Sequence, residues 1–276
     1  MSLAPEPVIL KVSPDGVAEL LLNRPDKRNA FDELMIAQLT EAFETLKGAD
    51  HVRVVFLRGA GNTFCAGADI DWMKRQGERL REDNEADALD AARMFKALHD
   101  LPQLTVAMVQ GAAFGGGAGL IAACDVAAAV TDTKFGFSEV KLGLIPSTIG
   151  PYIVEAIGPR WSKALFATGE VFDAAFAEKI GLVQYAVEDA AALDAMGEHL
   201  AKLAFAAAPG AVTESKALVR FILDSVTHNR AALGGHVIDD HLMKETAKRI
   251  AARRASAEGR EGLAAFLEKR KPEWNQ

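Results

Sequence analysis

The chain has 276 residues, half of them apolar and a quarter charged, and 31 Lys+Arg against 38 Asp+Glu give a formal net charge of −7. This length fits one large domain, or one plus an appendage, because single cores stop growing near ~250–300 residues. The composition excludes bulk disorder and collagen-like repeats, no apolar run reaches the ~20 residues of a membrane span, and the acidic balance does not favour nucleic acid. Met1 to Val12 lacks the basic n-region and long apolar h-region of a signal peptide. Cys65 and Cys124 stand far apart and offer no disulfide framework. A soluble cytoplasmic protein is expected, with no membrane partner.

Val8–Val12 and Ala18–Leu22 flank Ser13-Pro14-Asp15-Gly16 and predict a β-hairpin. Asn29 or Asp32 then caps a helix whose apolar stripe is Met35, Leu39, Ala42, Phe43 and Leu46. A buried strand is expected at Val52–Leu57, followed by the small-residue turn Gly59–Asn62 and the loop Phe64-Cys65-Ala66-Gly67-Ala68-Asp69-Ile70. Residues 74–87 mix both charges with few apolar side chains and predict a mobile, solvated segment. Ala88, Ala91, Ala92, Phe95 and Leu98 form the next helical stripe, stopped before Pro102. A strand at Thr105–Val109 runs into a glycine-rich stretch, Gly111 to Gly119, and a buried helix around Leu120–Ala123. Asp125–Val130 is a further strand, and strands alternating with helices at short spacing predict an α/β fold. Beyond Pro146 the pattern is helical, apart from a short strand in Leu182–Val187. From Pro209 only helices are expected, and Lys244–Lys271 carries nine Lys/Arg against four Asp/Glu.

Glycines between a strand and a helix let the backbone approach a ligand, and the orphan N–H groups of a helix start favour negative charge. The segment is not a phosphate loop, since Gly117 stands where its Lys belongs; the dinucleotide pattern fails at Leu120; and Ser138 has no glycine two places on, as a nucleophile elbow requires. Close helix packing and a backbone donor aimed at an oxygen remain as the two readings. Ala66-Gly67-Ala68-Asp69, with small side chains before the acid, supplies a second candidate donor. Two N–H groups from separate loops suit an enolate or tetrahedral oxyanion.

These segments, taken in order, resemble the crotonase (enoyl-CoA hydratase/isomerase) superfamily over nearly the whole chain. The resemblance rests on Leu22-Asn23-Arg24-Pro25 with Asn29-Ala30, the Phe64–Ile70 loop, Gly115-Gly116-Gly117, Ala123-Cys124-Asp125, Phe135-Gly136-Phe137-Ser138-Glu139 and Leu142–Pro146. It continues through Ala175, Glu178, Gly181-Leu182-Val183 and a terminal Phe266 before Glu268–Pro272. It implies a spiral of ββα repeats, an acyl-CoA-binding core over residues 1–205, and a helical region over 206–276 that builds trimers or dimers of trimers. It also implies that the thioester oxygen sits between the N–H groups of Ala68 and Gly116, with the adenine against Ala66, Ala68 and Ile70 and Asp69 between them. Lys27 and Arg28 match positions that often touch coenzyme A phosphates, and Phe266 and Lys269 match a segment that closes the site. No cofactor is implied, because coenzyme A is part of the substrate.

Typical hydratases of this family place one glutamate two residues after the third glycine and a second twenty residues later. Here these positions are Gly119 and Glu139. Three readings stay open: a hydratase in which Glu139 both activates water and returns the proton, a Δ3,Δ2-enoyl-CoA isomerase using Glu139 alone, or an inactive acyl-CoA-binding homologue. The wording from Gly111 to Leu120 and from Ser138 to Pro146 is similar to bacterial methylglutaconyl-CoA and carboxygeranoyl-CoA-type hydratases, which act on branched, carboxylated substrates, and this ranks hydration first. Ser147 stands where dienoyl-CoA isomerases carry an Asp. Trp72, Met73 and the segment to position 90, with Pro146–Ile149, are expected to line the acyl pocket.

His236, Asp239, Asp240 and His241 invite a metal reading, but adjacent residues point about 100° apart on a helix and do not converge. A polar helix face is expected instead, and no metal. Cys65 and Cys124 read as packing. The basic tail lacks the aromatic interleaving of an RNA binder.

Overall fold

The computed structural model of the chain describes residues 6–232 and 238–275. The chain divides into two compact units, Met1–Ala201 and Lys202–Gln276.

In the first unit the hairpin forms as expected: β1 (Val8–Val12) and β2 (Val17–Leu22) pair antiparallel with Val8 opposite Leu22. The turn is closed by the Val17 N–H donating to Ser13 Oγ at 3.1 Å. Asp32, not Asn29, caps α1 (Glu33–Lys47) by accepting from the Met35 N–H. The whole expected stripe of α1 is buried, with Ile36 added to it. β3 (Val54–Gly59) starts two residues later than expected, because the Val52 N–H is already used on Ala49 O.

The segment expected to be mobile is instead two helices, α2 (Ile70–Gly77) and α3 (Arg81–His99). Asp69 caps α2, and Arg79 and Arg81 pair with Asp83, Asp87 and Glu85 around the start of α3. Paired charges at helical spacing allow a helix with little apolar surface in its first turns. Only Met94, Phe95 and Leu98 of α3 are buried, and Ala88 is exposed.

β4 (Leu104–Val109), β5 (Ala112–Phe114), α4 (Gly116–Ala123), β6 (Val126–Val130) and β7 (Lys134–Gly136) follow in close succession. They are succeeded by α5 (Gly150–Thr168), β8 (Val171–Asp173), α6 (Ala174–Ile180), β9 (Tyr185–Val187) and α7 (Ala190–Ala206). α5 is kinked at Gly158, where φ is +73° just before Pro159. The strands make one six-stranded sheet in the order β1-β2-β3-β4-β6-β9, parallel from β2 onward, and one three-stranded sheet, β5-β7-β8. β5, β7 and β8 are three residues each, too short to show a period of two.

The second unit is helical, with α8 (Pro209–Ala232), α9 (Asp240–Ala255) and α10 (Ala257–Glu268). Arg253 pairs with Glu258 across the α9–α10 turn, and Arg270 pairs with Glu261. Acids within the same region thus partner two of its cations, Arg253 and Arg270. Asp239 caps α9 through the Leu242 N–H at 2.8 Å, while His236 lies outside the described residues. Among the described residues no group of three or more His, Cys, Asp or Glu is placed to hold a metal, and no helix is long and apolar enough to cross a membrane.

Candidate active site

Two short ladders bring the glycine-rich segments together. The parallel bridge between Cys65 and Ala113 uses the Cys65 N–H to Ala112 O and the Phe114 N–H to Cys65 O. A second parallel bridge, Phe31 with Ala68, uses the Phe31 N–H to Gly67 O and the Asp69 N–H to Phe31 O. In a parallel bridge the bonds come from the residues flanking one partner, so the N–H of Ala68 itself is left facing away from Phe31. Around it the N–H groups are spent: Ala66 on Arg28 O at 2.9 Å, Gly67 on Cys65 Sγ at 3.4 Å, Gly115 on Gly136 O at 3.0 Å. Those of Ala68 and of Gly116, at the first turn of α4, have no acceptor among the described residues. The Gly116 nitrogen lies 3.7 Å from where a Cβ on Gly67 would stand, which sets the two donor loops side by side.

Both readings of the glycine run hold at once, at different positions. Gly116, Gly117 and Gly119 permit close packing: a Cβ on them would meet the Phe31 ring at 2.5 Å, Cys65 O at 2.5 Å and Ile149 Cγ2 at 2.3 Å, respectively. Gly115 is different. Its φ of +48° is left-handed, and a Cβ there would lie 2.9 Å from Glu139 Oε1. Gly115 therefore lets the carboxyl group sit over the turn that opens α4.

Glu139 is carried on a short 3₁₀ turn, Ser138–Leu142, after β7. Its Oε2 is shielded from solvent with no hydrogen-bond partner among the described residues. Burial raises its pKa above the ordinary carboxylate value, opposed only in part by the hydrogen bond from its own backbone N–H. Among the described residues, Glu139 is the only ionisable side chain lining a cavity of about 360 Å³. One wall of that cavity is Ala66, Gly67, Ala68 and Ile70 with Gly115 and Gly116, and another is Leu142, Leu144, Ile145 and Pro146. Trp72, Met73, Ala88, Thr148 and Ile149 line it as expected. Phe31, Ile36, Ala91, Met94 and Phe95 line it too; of these the sequence pattern marks only Ala91 and Phe95, as members of a helical stripe.

Position 119 is closed. The place where a second glutamate would begin is filled by Ile149, 2% exposed, and by the Phe95 ring, whose Cε1 lies 3.0 Å from a Cβ on Gly119.

The other expected residues divide. Ala66, Ala68 and Ile70 stand together at the cavity, with Ile70 strongly exposed. Asp69 does not line it: its carboxylate accepts from the Asp71 and Trp72 N–H groups and pairs with Arg24 at 3.1 Å. Burial pushes its pKa up, but these partners together hold it below the usual range. Lys27 and Arg28 adjoin the loop through the Arg28 carbonyl; the Lys27 ammonium pairs with Asp71 at 3.3 Å, and Arg28 is exposed at φ +51°. Phe266 and Lys269 belong to the second unit, where Phe266 is exposed and Lys269 ends α10 in a left-handed conformation.

Arg24, cited for the resemblance, and Asn29, cited for it and as a candidate cap of α1, turn out to build the scaffold. Arg24 donates to Ala30 O and pairs with Asp32 and Asp69, tying the caps of α1 and α2 together. Asn29 is fully buried and joins the Arg24 N–H to the carbonyls of Ala60 and Thr63. Cys65 is buried, with its thiol pushed up to about 12 by desolvation, and Cys124 is half-buried.

The family profile for enoyl-CoA hydratase/isomerase matches residues 13–276. The chain belongs to this family. An enoyl-CoA hydratase from Shewanella pealeana is 38% identical with a TM-score of 0.88, covering 97% of this chain and 96% of that one. AtuE from Pseudomonas aeruginosa is 34% identical with a TM-score of 0.88, covering 98% and 100%. The 1,2-epoxyphenylacetyl-CoA isomerase of Escherichia coli K12 is 30% identical over 268 residues, 94% of this chain and 95% of that protein. The expected crotonase α/β fold is thus the fold found. Relatives named for hydration and for isomerisation both appear, so family membership carries the enoyl-CoA chemistry but not the choice between the two.

Proposed function

We propose that the enzyme hydrates a 2-enoyl-CoA thioester, with Glu139 as its single acid–base group. The observation that carries this is the pair of free N–H groups, Ala68 and Gly116, beside one desolvated carboxyl that lines the same cavity. In this reading the thioester oxygen accepts from both donors. The Glu139 carboxylate takes a proton from water as the water oxygen bonds to C3. The C2–C3 π electrons move onto the thioester oxygen, giving an enolate that the N–H pair stabilises; one such donor is typically worth ~10²–10³ in rate. The Glu139 acid then delivers its proton to C2. A raised pKa suits both halves of that cycle, since proton transfer is best served near the working pH. The reaction as written needs no metal or redox group, because coenzyme A arrives with the substrate.

The similarity of the glycine-rich and Ser138–Pro146 segments to methylglutaconyl-CoA and carboxygeranoyl-CoA-type hydratases supports a branched, carboxylated substrate. Lys27 and Arg28 would meet the coenzyme A phosphates, Ala66, Ala68 and Ile70 the adenine, and Phe266 and Lys269 the closed site, in a trimer or dimer of trimers. The sealed position 119 favours a second reading, a Δ3,Δ2-enoyl-CoA isomerase, because moving a proton between C2 and C4 needs one carboxylate only.

The test is the loss of conjugated enoyl-thioester absorbance with crotonyl-CoA and 3-methylglutaconyl-CoA. Turnover of either supports hydration, and preference for the second supports the branched acid. Tight acyl-CoA binding with no turnover of either, but conversion of 3-hexenoyl-CoA, establishes isomerisation instead.

A further inference from the structure

A second cavity, of about 400 Å³, lies between α1 and α3 and shares two wall residues, Ile36 and Trp72, with the cavity that holds Glu139. Along α3 the division is regular: Ala88, Ala91 and Met94 line the first, Asp87, Asp90 and Arg93 the second. We infer that the acyl chain of the substrate passes Ile36 and Trp72 into this second cavity, so that the enzyme takes thioesters with a long, uncharged, apolar arm. The inference rests on the acyl-CoA reading of the site given above.

Two observations support it beyond continuity. The Trp72 indole nitrogen is shielded from solvent and has no acceptor among the described residues, so packing holds the ring in the partition. Buried indoles usually find a partner; turning this one aside breaks no hydrogen bond. The charges of the second cavity also select its occupant. Glu33, Glu41, Asp87 and Asp90 line it with Arg93 as the one cation among the described residues, and Arg93 is already paired with Asp90. Glu33 and Asp87 are paired outward with Arg75 and Arg79. A carboxylate at the end of the arm would meet like charge, whereas a hydrocarbon lies against Ile36, Ala37 and the indole. On a branched acid, the carboxyl-bearing branch therefore stays in the first cavity.

Saturated acyl-CoAs bind without reacting, so calorimetry with butyryl-, octanoyl- and dodecanoyl-CoA tests the inference apart from turnover. Each methylene newly buried should tighten binding about fourfold, with the gain continuing from octanoyl to dodecanoyl. Ala37→Phe, and independently Thr40→Phe, fill the second cavity from residues that do not line the first. Each should lower the dodecanoyl-to-butyryl affinity ratio at least tenfold. A wild-type ratio near one, or a ratio untouched in both variants, overturns the inference. Chain-length dependence without turnover of either crotonyl-CoA or 3-methylglutaconyl-CoA sinks the hydratase proposal and leaves this one standing.

Discussion

Two walls of one cavity meet opposite physical demands. On the wall after β7, Glu139 keeps a carboxyl oxygen shielded and unpartnered over a glycine whose side chain would collide with it. Behind the wall formed by Ile149 and Phe95, position 119 is packed so closely that even a methyl group has no room. The contrast teaches that the absent second carboxylate is not a gap awaiting a water-filled replacement. The space belongs to the apolar core, and this surrounding is part of what desolvates the cavity in which Glu139 works. Acid and base duties are thereby concentrated on one group whose pKa is raised by burial.

Removing that group is the harshest way to break the contrast. Glu139→Gln keeps shape and loses proton transfer, so kcat on an enoyl-CoA substrate should fall by ~10²–10⁴, with affinity for a saturated acyl-CoA within a few-fold of wild type. Equal losses in binding and rate would mean that Glu139 holds the loop rather than the proton. Next comes the donor pair. Gly116→Ala places a methyl group 2.5 Å from the Phe31 ring and tilts the N–H at the start of α4, which should cost ~10²–10³ in kcat. Adding Phe31→Leu should return part of it, and no recovery would show that crowding by Phe31 is not the cause.

The apolar wall is broken from its own side. Gly119→Ala should destabilise the fold by about 1–3 kcal/mol in denaturant unfolding, the usual range for overpacking a well-filled core. Ile149→Ala alone also destabilises, by cavity formation. The double variant should be more stable than the sum of the two losses, since the added methyl group occupies part of the space Ile149 leaves. Additive losses would mean that the two residues do not compete for that space.

How much of this was legible in the sequence follows from the length scale of each signal. α1 announced itself through the five apolar positions of its stripe and the capping candidates Asn29 and Asp32, and the parallel strands through runs of Val, Leu and Ala. The helical stretch after Ile70 was hidden because its stability comes from a cap and from ion pairs rather than from an apolar stripe. β5, β7 and β8 were below the length at which alternation can be seen. Ala68, Gly116 and Glu139 were reachable from residue order and resemblance, but the meaning of Gly119 was not. Ile149 reaches it from thirty positions away, and no local pattern reports that distance. Asp69 misled for the same reason: its neighbours in the loop face the cavity, while its carboxylate is used by Arg24 and the start of α2.

The smallest effect concerns stability and carries its own sign. Because burial raises the Glu139 pKa in the fold above the ~4.3 of an unfolded glutamate, the folded state favours the protonated carboxyl. That contribution is complete below the unfolded value and is lost as pH rises through the folded one. Glutamine mimics the protonated form at every pH. The melting temperatures of wild type and Glu139→Gln should therefore coincide in acid, and the variant should become the more stable protein as pH climbs above that value. Catalysis runs the other way over the same interval, since kcat/KM needs the carboxylate to accept the proton of water and reports the free enzyme. The midpoint of the rise in kcat/KM should fall where the stability gap stops widening, since both mark the folded-state pKa, although one is read from turnover and the other from unfolding. Parallel melting curves would show that the apolar wall does not govern the charge of Glu139, and a kinetic midpoint away from that levelling-off would assign the kinetic limb to another group.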